Sequence, residues 1–144
     1  MDYWERQKQR VRDVVQREYR ASLMNTTKWE EVKGLIQHLK LRCRVKLITE
    51  TGPQQWRTLP CWQARGFLNV SGEPVHVLEV EWMEVDSLYR VPRPYVGLDR
   101  YEDRAGELEQ GLRAVGAPYT REERVYRIWG HVPKDEDPDF VQPP

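Results

Sequence analysis

Glu79 and Glu81, two residues apart in the run Pro74 to Asp86, come nearer than any other residues of this sequence to a recognisable chemistry. In an extended chain such a pair stands side by side on one face, where two carboxylates can hold a hard divalent cation or share a proton. His76 supplies a titrating neighbour, and Glu84, Asp86 and Asp99 are further oxygen donors. This constellation describes a metal-assisted hydrolase with Glu79, Glu81 and His76 as catalytic candidates. A plainer account competes with it. Arg44 and Lys46 share one face of an earlier alternating segment at the same two-residue spacing, so cross-strand ion pairs explain the carboxylates without a reaction. That account is preferred.

Other templates are weaker. There is no G-x-S-x-G, H-E-x-x-H, P-loop or G-x-G-x-x-G, and the three histidines, His38, His76 and His131, are far apart. Cys43 and Cys61 form no C-x-x-C and have no histidine at ligand spacing, so no metal or cofactor is expected from them. Trp56, Arg57, Trp62, Arg65 and Phe67 interleave aromatic and basic groups as single-strand nucleic-acid binders do, but a core role for these aromatics is preferred. Six Trp and seven Tyr exceed what a core of this length ordinarily needs, and aromatics together with Arg are favoured where interfaces carry energy. Trp56, Trp62, Tyr89, Tyr95 and Trp129 lie on short strands or loops where helix burial does not account for them. They are the candidate partner-binding residues.

The elements that position these groups follow from periodicity. Residues 2–22 read as a helix with a narrow stripe of Trp4, Val11, Val15 and Tyr19. Thr27 and Glu30 form a capping box for a second helix, whose apolar face is Trp29, Val32, Ile36 and Leu39. Residues 42–50 alternate, with Cys43, Val45 and Leu47 inward and Arg42, Arg44 and Lys46 outward. Shorter strand pieces follow over 54–59 and 62–70. In the central run, strict alternation sends Leu78, Val80 and Trp82 to the core and Glu79 and Glu81 to the solvent. Asp99 and Glu102 open a third helix carrying Leu108, Leu112 and Val115 and ending at Gly116, and a last strand covers about 124–132. The order is α-α-β-β-β-β-α-β: an α+β fold with a single antiparallel sheet, helices packed on one face and the other face wet.

The 144 residues fit one domain, taken as 1–132, with an acidic Pro-rich tail at 133–144 expected to be disordered or loosely docked. Charged residues make up 32% and mean hydropathy is −0.82, with no apolar run of membrane-spanning length and no signal-peptide core, so a cytoplasmic location is the expectation. Net charge is zero, yet residues 1–65 carry 14 Lys+Arg against 7 Asp+Glu, and residues 66–144 carry 9 against 16. Strands from both halves meeting in one sheet would let these charges neutralise each other.

Asn25-x-Thr-Lys-Trp29, Glu81-Trp82, Leu112 with Gly116-x-Pro-Tyr119, and Trp129-Gly130 together resemble a group of small uncharacterised bacterial proteins, a domain-of-unknown-function family, over roughly residues 20–132. The resemblance implies a fold and transfers no catalytic residue. Proteins of this size and type include immunity and partner-binding proteins. The expectation is therefore a non-enzymatic protein-binding module, a toxin-immunity protein being one form of it. A protein partner is expected, nucleic acid and membrane are not, and homo-oligomers are compatible with this reading.

Overall fold

Within residues 2–59, 64–70, 73–92, 97 and 99–144, which the computed structural model describes, the chain forms three α-helices and eleven short strands. Helix α1, Tyr3–Glu18, is capped by Asp2, whose carboxylate accepts the Glu5 N–H at 2.8 Å, and it buries none of its side chains. It stops short of the expected residue 22 because Tyr19–Ser22 is extended as β1. Helix α2, Thr26–Leu39, is capped by Asn25, which accepts the Lys28 N–H at 2.8 Å. The asparagine, and not Thr27, is therefore the cap, and the stripe Trp29, Val32, Ile36 and Leu39 is buried as its spacing predicts. Burying each such side chain stabilises the fold by roughly 1.5–3 kcal/mol.

Strands β2 (Arg42–Leu47), β3 (Arg57–Thr58), β4 (Phe67–Val70) and β5 (Glu73–His76) precede a single 3-10 turn at Val77–Glu79. There follow β6 (Val80–Asp86), β7 (Leu88–Val91), β8 (Arg100–Asp103), α3 (Ala105–Val115), β9 (Tyr119–Glu122), β10 (Val125–Trp129) and β11 (His131–Pro133). The main sheet is antiparallel in the order β3-β2-β6-β10-β9, and β1-β11, β4-β5 and β7-β8 are separate antiparallel pairs. The architecture is α+β, but neither the single sheet nor the simple element order holds. Of the two residues expected to cap the third helix, Glu102 lies within β8 and Asp99 just before it, and Asp103 accepts the Ala105 N–H that opens α3.

The central strand departs from strict alternation at one residue. Lys46 faces Trp82 while the next residue, Leu47, faces Val80, so Glu81 is an extra residue on β6. Such a bulge puts two successive side chains on one side of a sheet. Val80, Met83 and Val85 therefore enter the main core with α2 and α3, whereas Trp82 belongs to a second cluster with Trp129 and Val132. Trp82 is thus in a core, though not the expected one. The supposedly wet face is also covered, since all seven residues of β6 are buried.

The tail lies along the protein. Tyr119 and Gln142 form a backbone bridge, and Phe140 packs on the Trp82–Trp129 cluster. Among the described helices none is long and apolar enough to cross a membrane.

Candidate functional site

The bulge decides the fate of the carboxylates. On the outer face, Glu81, Glu84 and Asp86 project from β6 between basic side chains of its neighbours. Glu84 takes Arg44 at 2.7 Å from β2 and Arg127 at 3.0 Å from β10, and these three residues are direct cross-strand partners. Glu81 accepts from Lys46 at 3.0 Å and from the Tyr19 hydroxyl at 2.5 Å. Burial, reinforced by that bond to Glu81, pushes the Tyr19 phenol well above its usual range. Asp86 pairs with Arg42 at 3.2 Å and Arg124 at 3.4 Å. The basic first half of the chain and the acidic second half do neutralise each other here, as β2 meets β6.

Glu79 stands apart from this ladder, on the 3-10 turn. Its carboxylate accepts the His76 N–H at 3.2 Å while His76 Nδ1 accepts the Leu78 N–H at 3.1 Å, so both side chains close a local cap. Burial raises the Glu79 carboxyl and lowers the His76 imidazole. The structure therefore does not set Glu79 beside Glu81. Among the described residues no three His, Cys, Asp or Glu are grouped to hold a metal ion.

His131 is a titratable group that the sequence did not single out. It is 5% exposed, with Nδ1 2.8 Å from the Ser22 hydroxyl and Nε2 2.7 Å from the Leu78 carbonyl. Burial lowers its pKa below the usual 6.5, against the opposing pull of the Leu78 carbonyl and Glu81. An imidazole held neutral in the fold means that the unfolded chain binds more protons below pH 6.5, so stability falls as pH drops through that window. His76 acts in the same direction. Glu79, raised from 4.5, has the opposite sign, stabilising at low pH and losing that contribution as pH rises through its folded pKa. The melting temperature is expected to decline from pH 7 towards pH 5.5, with a flatter profile in His131→Gln. An unchanged slope in that variant refutes the assignment.

A cleft of about 780 Å³ opens between the C-terminal end of α2, the start of β2, β3 and the β7-β8 pair. Ile36, Leu59 and Leu88 give it apolar walls, and Lys40, Arg42, Arg90 and Arg124 line it together with Tyr89 and Tyr101. Among its described lining residues there is no carboxylate. Asp86 lies beneath Arg42 and Arg124, and Asp99 pairs with Arg90 at 2.8 Å at the rim, which leaves a surplus of two positive charges among the described residues. Helix α2 ends in a Schellman arrangement, with Leu41 N–H on the Ile36 carbonyl, and Lys40 occupies the left-handed position at φ 56°. Glycine is the usual residue there, and a lysine costs about 1 kcal/mol in backbone strain. Lys40→Gly is expected to raise the melting temperature by roughly 2–3 °C. Calorimetry showing a decrease would mean that the lysine has a structural role.

The candidate partner-binding aromatics are divided by the structure. Trp56 is half-buried, with the guanidiniums of Arg44 and Arg42 at 4.9 and 5.8 Å from its ring centre, and Tyr89 is half-buried beneath Arg104 at 3.8 Å. Both lie at the same end of the molecule, since Arg42 covers Trp56 and lines the cleft with Tyr89. Trp129 is not available on the surface. It is 3% exposed, packed with Trp82 and donating its indole N–H to Thr120 at 3.1 Å. Trp62 and Tyr95 lie outside the described residues. Of the nucleic-acid candidates, Phe67 is packed edge-to-face on Trp4 and His76. The cations of the cleft escaped sequence reading because they come from a helix cap, two strands and a hairpin turn, with no local motif joining them.

The model of a family described as Family of unknown function (DUF6678) matches residues 11–135, a span that takes in the second half of α1 and reaches β11. No curated protein and no solved structure matches the chain.

Proposed function

Because the chain belongs to this family of unknown function (DUF6678) and inherits no activity from it, we propose from its own residues that it is a non-enzymatic protein-binding module. The binding surface is the cleft at the end of α2. One observation carries the reading: the cleft holds uncompensated positive charge between tyrosines, whereas the carboxylates of the central strand are already engaged by the protein's own cations. Interfaces are enriched in arginine and tyrosine at the expense of acidic groups. A toxin-neutralising protein is one form of this reading, and it requires the toxin to present an acidic surface. The metal-assisted hydrolase is disfavoured by the separation of Glu79 from Glu81.

The test is affinity capture from a native lysate with the parent and with the double variant Lys40→Glu, Arg90→Glu. Lys40 is exposed, and Arg90 and Asp99 form an exposed pair, so the fold tolerates both changes. At least one protein recovered by the parent should be depleted at least tenfold with the variant. If the captured proteins are the same for both, the cleft is not the binding surface.

A further inference from the structure

Resting on the reading of the cleft as a partner-binding surface, we infer that its occupant is an acidic segment of a partner protein carrying at least two carboxylates beside an apolar side chain. Charge sets the first requirement. Among the described residues four cations line the cleft and two carboxylates offset them, so a segment with two negative charges completes that balance.

The cations are placed before any ligand arrives. Asp86, 4% exposed, takes Arg42 on one oxygen and Arg124 on the other. It thereby fixes two guanidiniums on opposite sides of one buried carboxylate. Arg42 uses one terminal nitrogen and Arg124 its Nε in these ion pairs, and a guanidinium offers five N–H donors. Donors remain on each for a carboxylate approaching from solvent. Lys40 holds the third position through a backbone conformation that disfavours lysine, which is how strain at a binding site presents itself. The walls set the second requirement. Leu88, half-buried, and Pro92, exposed, offer carbon surface next to these charges, which suits an aliphatic side chain flanked by acids.

Single-stranded nucleic acid meets the charge requirement but not the rest. Such strands bind by stacking bases on open aromatic faces. Here the Trp56 ring carries the guanidiniums of Arg42 and Arg44, and Tyr89 carries Arg104 at 3.8 Å. Both rings already have a stacking partner, and displacing it forfeits a contact for each base gained.

Three fluorescent probes decide the matter by anisotropy: a capped decapeptide of alternating Glu-Glu and Leu-Leu pairs, the same peptide with lysine for glutamate, and a ten-nucleotide oligothymidylate. The acidic peptide is expected to bind at least tenfold tighter than the lysine peptide and to weaken severalfold between 50 and 200 mM salt. The double variant Lys40→Glu, Arg90→Glu should lose at least tenfold of that affinity while keeping the parent's melting temperature, and Lys40→Gly should lose severalfold while melting higher. Equal binding of the two peptides, or an acidic-peptide affinity unmoved by the double variant, overturns the inference. So does oligothymidylate binding tighter than the acidic peptide with the same dependence on Lys40 and Arg90, which would assign the cleft to nucleic acid. Cleft-dependent capture of a partner with no acidic-peptide binding defeats this inference and leaves the protein-binding reading standing. Cleft-dependent peptide binding with no cleft-dependent capture removes the partner-binding reading and this inference with it.

Discussion

Gly130→Ala is expected to lower the melting temperature by about 10 °C, corresponding to a loss of about 3 kcal/mol in a chain of this length. A Cβ built on Gly130 collides with the Val80 carbonyl oxygen and lies 3.0 Å from Trp29 Cζ2 and 3.3 Å from the Glu81 carbonyl oxygen. None of these neighbours can retreat cheaply. Val80 and Glu81 belong to the central strand, and Trp29 is 1% exposed in the main core. The glycine is also bonded on both sides, its N–H on the Glu81 carbonyl at 2.8 Å and its carbonyl accepting the Leu23 N–H at 2.9 Å. A shift that accommodates the methyl group therefore breaks the join between β6, β10 and the β1-β11 pair. Thermal melts of the parent and Gly130→Ala decide it: a difference below 2 °C would mean that the strand crossing yields more easily than its contacts indicate.

That crossing also shows what the sequence could and could not convey. Trp29, Val32, Ile36 and Leu39 keep a helical spacing and are buried together on α2, and Leu108, Leu112 and the Gly116 cap of α3 follow the same logic. Local period and local capping chemistry suffice for such elements. Strict period two fails on the central strand because it assumes no extra residue, and the bulge at Glu81 reverses which side chains beyond it face α2 and α3. The bulge lies in the ladder with β2, opposite Lys46 and Leu47, residues some 35 positions earlier, and on the other side of β6 the Gly130 N–H reaches the Glu81 carbonyl 49 positions earlier in the chain. Glu81-Trp82 and Trp129-Gly130, two short motifs behind the family resemblance, meet at this point: Trp82 and Trp129 are direct strand partners. The resemblance thus carried structural information that alternation lacked. For the site, Arg42 and Tyr89 were visible as a strand cation and a loop aromatic, but their convergence with Lys40, Arg90 and Arg124 depends on tertiary placement alone.

Glu84→Ala tests whether the ladder on the outer face is structural, and a loss of about 2–3 kcal/mol is expected. Removing one member of a buried ion pair costs about 3–5 kcal/mol because the remaining charge is stranded. Here the carboxylate is 8% exposed, but Arg44 and Arg127 are 31% and 33% exposed, so water recovers part of the loss and the lower figure applies. The two guanidiniums are not free to swing away without further cost. Arg127 lies 4.1 Å from the Trp82 ring centre and 5.4 Å from that of Trp129, and Arg44 covers Trp56. Without Glu84 they face each other as like charges held by their aromatic neighbours, and relief comes only by giving up those stacks. A melting temperature lower by roughly 6–10 °C follows, with the deficit shrinking in high salt as the repulsion between the guanidiniums is screened. A Glu84→Ala protein that melts within 2 °C of the parent would show that this carboxylate is not needed to hold the sheet together. The central-strand acids would then be available for chemistry, and the argument that leaves the α2 cleft as the surface with unmatched charge would lose its main support.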